Sequence, residues 1–141
     1  MKPVLATCTA LFLLCALAQG QAGGAPERVV RRIIDQGLLD GHDHKVIGDM
    51  GDAAAVLVTK ILAGRDLTTG NIDGVLVVFE SSFVDPRFVS TAADREPRTA
   101  LLVLKYLDAS TADPALRKRI SETREHVQHR YVRFLQDQPQ K

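Results

Sequence analysis

The sequence predicts an all-α fold of about five helices, and three observations carry that reading. Leu116, Ile120, Thr123, Val127, Tyr131 and Phe134 form one stripe at helical spacing over about five turns. Helix starts are marked by Pro26-Glu27 and Asp113-Pro114, and stops by Gly37, Gly41 and Gly64. A chain of 141 residues that is 45% hydrophobic and 25% charged can bury one core, and it is neither disordered nor a multi-pass membrane protein. One domain is expected.

The first segment reads as an export signal. Met1-Lys2 gives a short positive start, and Val4 to Leu17 is an uncharged apolar run. About 20 residues are needed to span a bilayer, so this run has the length of a signal-peptide core. Ala16-Leu17-Ala18 supplies a small-x-small cleavage site and Gly20-Gln21-Ala22 a second option; the first sets residues 1–18 as the signal and 19–25 as a flexible lead. Both cysteines, Cys8 and Cys15, lie in the signal. The exported chain therefore has no disulfide and no thiol ligand, and an ordinary hydrophobic core must hold it.

The single helical domain spans 26–136, followed by a polar tail at 137–141. Proline is tolerated in the first turn, so Pro26-Glu27 opens a helix with Val29, Val30, Ile33, Ile34 and Leu38 as its apolar stripe. A second helix runs from Asp43 or Asp52 to Ala63, with Asp52 as a plausible N-cap and Gly64 as its stop. Asn71 is expected to cap a third segment, Ile72 to Phe83. The β-branched run Val75 to Phe79 would also suit a buried strand. Helix is preferred because Ile72, Leu76, Phe79 and Phe83 keep helical spacing beyond that run. Asp94 and Pro97 start a fourth helix, apolar nearly all round from Ala100 to Leu107 and so expected to be central. Asp113 caps the last helix, with Pro114 at its first position, and it runs to Gln136.

Residues Ala55 to Leu62 align without gaps on Ala100 to Leu107, with identity at Ala55/Ala100, Leu57/Leu102, Val58/Val103, Lys60/Lys105 and Leu62/Leu107. In a neighbouring register Ile72, Leu76 and Phe83 fall on Leu116, Ile120 and Val127. A helical pair recurring at roughly 40–47 residues is the period of HEAT and armadillo arrays. Met50-Gly51-Asp52 before Ala53 also resembles the start of a HEAT-type helix. That resemblance implies a binding scaffold with no activity of its own. The alternative is a small compact helical bundle. The repeat requires Leu57, Leu102, Leu62 and Leu107 all to be core.

Chemistry-bearing residues are few. His126 and His129 stand at i, i+3 with Glu122 one turn earlier, a spacing usable for zinc, and His42-Asp43-His44 offers two more imidazoles. Solvated helix faces and a capping Asp flanked by loop histidines explain the same residues. Ser81-Ser82, Ser90 and Ser110 lack a glycine elbow and have no base in their motif, and no Gly-rich loop follows a strand to cradle phosphate. Asp43, Asp52, Asp94 and Asp113 each have a capping role available. No enzyme and no cofactor is expected.

Charge is nearly balanced, with 18 Lys+Arg against 17 Asp+Glu, which argues against nucleic acid as a partner. Its distribution is uneven. Asp35, Asp40, Asp43, Asp49, Asp52, Asp66 and Asp73 face only Lys45, Lys60 and Arg65. The last helix carries Arg117, Lys118, Arg119, Arg124, Arg130 and Arg133 against Asp113, Glu122 and Glu125. Opposed patches of this kind steer encounter with a charged partner. The expectation is an exported protein-interaction module, contacting a protein partner through Arg117, Lys118, Arg124, Arg130 and Arg133, without stable membrane insertion once the signal is removed.

Overall fold

The computed structural model describes residues 24–37, 40–90 and 93–139. The segment expected to be an export signal, most of the expected lead, Leu38 and the end of the tail lie outside the described residues. Among the described residues the chain forms six α-helices and no strand: α1 (Gly24–Gln36), α2 (Gly41–Gly48), α3 (Asp52–Leu62), α4 (Thr69–Phe79), α5 (Arg98–Ser110) and α6 (Pro114–Gln136). A five-residue π-turn, Glu80–Val84, extends α4. The protein is a small all-α bundle.

Helix α1 begins at Gly24, two residues before the sequence places it. Pro26 therefore sits inside the first turn, where its missing N–H has no partner to lose. Gly37 and Gly64, both at positive φ, follow α1 and α3 as the stop signals predict. The expected second helix is two helices, which raises the count from five to six. Between them Gly48 lies against the 85–95 loop: a Cβ there would fall 1.9 Å from Phe88 O, and Gly48 O accepts from Ser90 N at 3.0 Å. The chain turns at Gly51, whose positive φ breaks the helix and whose missing Cβ lets Asp94 O approach.

Three caps differ from expectation. Asp40, not Asp43, caps α2, and Asp43 at the third helical position returns the bond in a capping box. Thr68, not Asn71, caps α4, again with the second residue in the reciprocal role. Asn71 Nδ2 also donates to Ile34 O of α1 at 3.2 Å. Asp52 is the first residue of α3, with Gly51 at the N-cap position, and its side chain caps a different helix. Its Oδ1 accepts from Thr99 N and Ala100 N, both at 3.1 Å, at the start of α5. Asp52 N donates to Asp94 O at 3.0 Å, so Asp94 serves α3 through its carbonyl, while α5 starts at Arg98 and takes its cap from Asp52. Asp113 does cap α6, accepting from Ala115 N at 3.0 Å, with Pro114 first in the helix.

Helix α4 is the central one. It packs on α1, α3 and α6 and buries Ile72, Val75, Leu76, Val78 and Phe79. The segment expected to be helix rather than strand is helical throughout and continues into the π-turn. There Asp85 N reaches back five residues to Glu80 O at 2.9 Å. The wider turn sets three consecutive residues, Ser81, Ser82 and Phe83, inside the fold. Helix α5, expected to be central, instead covers α3 and α6 with one face, Ala100, Val103, Leu104 and Leu107. Its other face meets solvent, with Leu102 68% and Tyr106 56% exposed.

That exposure corrects the repeat. Ala55/Ala100, Val58/Val103 and Leu62/Leu107 are buried in both helices, but Leu57 is half-buried and Leu102 is on the surface. Ile61, nearly fully buried, would pair with exposed Tyr106. Helix α3 packs on α1, α4 and α5 and carries a wide buried stripe, whereas α5 packs chiefly on α3 and α6. The two helices do not occupy equivalent positions in the required register.

Candidate functional site

Three places on the surface concentrate functional side chains. The first is a cavity of about 590 Å³ where α2, the π-turn and α6 meet. The π-turn aims Ser81 at α2, and its Oγ lies 2.9 Å from His44 Nδ1. The His44 ring stacks on Phe88 at 4.2 Å and 10°. Across the cavity His126 Nδ1 sits 3.2 Å from Glu80 Oε1. Asp85 closes one side, its carboxyl held down to about 2 by the side-chain bonds from Arg87, assisted by the Arg87 backbone N–H.

The sequence proposed Glu122, His126, His129, His42 and His44 as metal candidates. The fold brings Glu122, His126 and His44 to this one cavity, while His42 and His129 are exposed. Among the described residues no three His, Cys, Asp or Glu side chains come together in a way that could hold a metal ion. His126 is engaged with Glu80. The structure also supplies what the serine motif lacked. A base does stand beside Ser81, from 37 residues away, a distance no local pattern encodes. Ser81 is only 3% exposed, and its hydroxyl is engaged with the imidazole.

The second place is the basic face of α6. Arg117 pairs with Asp108 at 3.3 Å, Lys118 lies 3.9 Å from Glu122, and Arg119 pairs with Asp73 of the acidic segment. Other acids of that segment are answered from nearby: Asp35 by Arg65 at 2.6 Å, Asp43 by Arg32. The opposed patches thus neutralise each other in part. Among the described residues Arg124, Arg130 and Arg133 make no ion pair, although Arg130 Nε donates to Val84 O at 3.0 Å. Arg130 and Arg133 line a cavity of about 460 Å³ together with Arg95 from the loop before α5. Sequence reasoning missed Arg95, because nothing local marks a loop cation as facing a helix.

The third place is largely apolar. Thr59 and Leu62 of α3, the turn after it from Ala63 to Asp66, and Leu102, Val103 and Tyr106 of α5 border a groove of about 580 Å³, with Arg65 and Asp66 as its charged members. Val56, 53% exposed, extends the same helical face by one turn. No helix among the described residues is long and apolar enough to cross a membrane. Comparison with known proteins finds no match: no family model, no curated sequence and no solved structure is similar to this chain.

Proposed function

We propose that this chain is an exported, non-enzymatic protein-interaction module whose partner docks on the α3–α5 face. One observation carries the reading. Leu102 and Tyr106, which line the groove, and Val56, one turn from Thr59, each expose more than half of their surface, and exposed apolar side chains gathered at a groove support a docking site. Lys105 lies one turn from Leu102 and is exposed. Arg117, Lys118 and Arg124, with Arg130 and Arg133 further along α6, add the positive charge that steers an acidic partner to the molecule. The partner that fits is an apolar surface with an acidic rim. Export rests on the Met1-Lys2 start, the Val4 to Leu17 run and the Ala16-x-Ala18 site.

The test is capture from the exported compartment, comparing wild type with Leu102→Glu/Tyr106→Glu. A protein retained by wild type, lost by the variant and eluted as salt rises supports the module. A protein retained equally by both removes the α3–α5 face from the reading. Mass spectrometry of the exported protein should find an N-terminus between Gln19 and Gly23, and an intact Met1 would refute export by cleavage.

A further inference from the structure

Seven of the twelve arginines pair with a carboxylate: Arg31, Arg32, Arg65, Arg87, Arg98, Arg117 and Arg119. Among the described residues Arg28, Arg95, Arg124, Arg130 and Arg133 do not, and three of these five converge on the 460 Å³ cavity between the carboxyl half of α6 and residues 83–89 with Arg95. Asp137 is the one carboxylate that lines it. Three like charges gathered around one carboxylate repel, and the fold aims two of the three guanidinium groups, those of Arg95 and Arg130, by bonds to backbone carbonyls. Arg95 lies over the Phe134 ring at 4.7 Å and donates to Ser90 O through Nε at 3.2 Å and Nη2 at 2.9 Å. Arg130 uses Nε on Val84 O, which leaves its two Nη donors. The Arg133 guanidinium has no hydrogen-bond partner among the described residues.

Behind the arginines Phe83 and Val127 are buried, and the accessible part of the lining is Pro86, Val89, Phe134 and the amphipathic Tyr131. We infer that this cavity binds a small organic carboxylate, its anionic end held by Arg130 and Arg133 and its apolar body on Pro86, Val89 and Phe134. Guanidinium donors match a carboxylate in pairs, and the volume lies within the ~300–1,000 Å³ of small-molecule sites. Arg95, fixed against Phe134, supplies a third positive charge without having to be ordered by the ligand. A bare inorganic anion would leave the aromatic lining wet, so the apolar body is part of the recognition. This site shares no lining residue with the α3–α5 groove, although Arg130 and Arg133 also belong to the charge proposed to steer the partner; loss of small-carboxylate binding and loss of partner capture are read by separate assays.

Titration calorimetry on the full chain tests it with 4-phenylbutyrate as probe, and with 4-phenylbutanamide and inorganic phosphate as comparisons. One 4-phenylbutyrate should bind per chain, with the neutral amide and phosphate each weaker by at least about tenfold. Arg130→Gln/Arg133→Gln should lower the carboxylate affinity by about 10- to 100-fold with an unchanged circular-dichroism spectrum. Because Arg130 also holds Val84, Arg133→Gln alone is the second variant, and it should weaken binding without moving the denaturation midpoint. Equal binding of the amide overturns the role of the arginines, and equal binding of phosphate overturns that of the apolar lining. Absence of any heat with 4-phenylbutyrate at millimolar concentration overturns the site.

Discussion

Gly74 lies where α4 crosses α1, and replacing it by alanine sets two effects of opposite sign against each other. In a helix interior alanine is better than glycine by about 1 kcal/mol, so propensity alone makes Gly74→Ala stabilising. The added Cβ, however, would sit 2.6 Å from Ile33 O and 2.6 Å from Ile34 Cα, both backbone atoms that no rotamer change can remove. Restoring ordinary contact moves α1 back by about 1 Å, and a gap of ~0.5–1 Å forfeits a quarter to a half of each dispersion contact along the interface. That interface includes Val30, Ile33 and Ile34, all essentially fully buried. Overpacking typically costs ~1–3 kcal/mol, and the loosened contacts add to it, so the net change is a loss of about 1–3 kcal/mol. Gly70, in the first turn of the same helix, provides the control. Its Cβ would meet only Thr68 Oγ1, at 3.8 Å, so Gly70→Ala should be neutral or stabilising by up to about 1 kcal/mol. Urea denaturation followed by far-ultraviolet circular dichroism reads both variants. A Gly74→Ala protein as stable as wild type, or a Gly70→Ala protein destabilised as much as its neighbour, would refute the crossing argument.

Asp52→Ala should destabilise by about 2–4 kcal/mol in the same denaturation assay, because it strands the N–H groups of Thr99 and Ala100 beside a lost charge-assisted cap. Asp52→Asn keeps one oxygen and should lose roughly half as much. Leu102→Ala should change stability by less than about 0.5 kcal/mol, whereas Leu107→Ala, at a fully buried position, should cost ~2–5 kcal/mol; equal losses would restore the repeat register. Asp85 has its carboxyl lowered from 3.8 to about 2, first by the Arg87 side chain, so its contribution to stability is complete above 3.8 and lost as pH falls from there toward 2. Carboxyl NMR titration should find that low midpoint, and Arg87→Gln should return it toward 3.8.

Local signals were legible where local physics decides. Asp113-Pro114, the glycines after α1 and α3, and the helical spacing that outlasts the Val75–Phe79 run all name their elements correctly, since each acts within a turn of its own position. Capping by Asp52 was hidden because its acceptors serve amides 47 and 48 residues on. Thr68 and Asn71 both favour caps, and only the fold settles which of them stands outside the helix. Helix α5 has the composition of a buried helix, yet burial depends on which neighbours arrive, and only two cover it closely. At the candidate sites the α6 cations were visible as a run. Their meeting with Arg95 and the placing of His44 beside Ser81 are tertiary, and no spacing rule reaches them.

The carboxylate of Asp52 makes the amino ends of α3 and α5 a single joint built from two distant parts of the chain. A cut in the 85–95 loop would therefore not release two independent pieces. The amino-terminal fragment would hold an unanswered acid meant for the interior, and the carboxyl-terminal fragment a helix with exposed starting amides. Each lacks what the other carries. Such fragments should be poorly ordered alone and should recover helical structure when mixed, so a nicked chain behaves as a self-assembling heterodimer. During synthesis the same logic delays α3: it gains its full anchorage only after Thr99 and Ala100 have emerged.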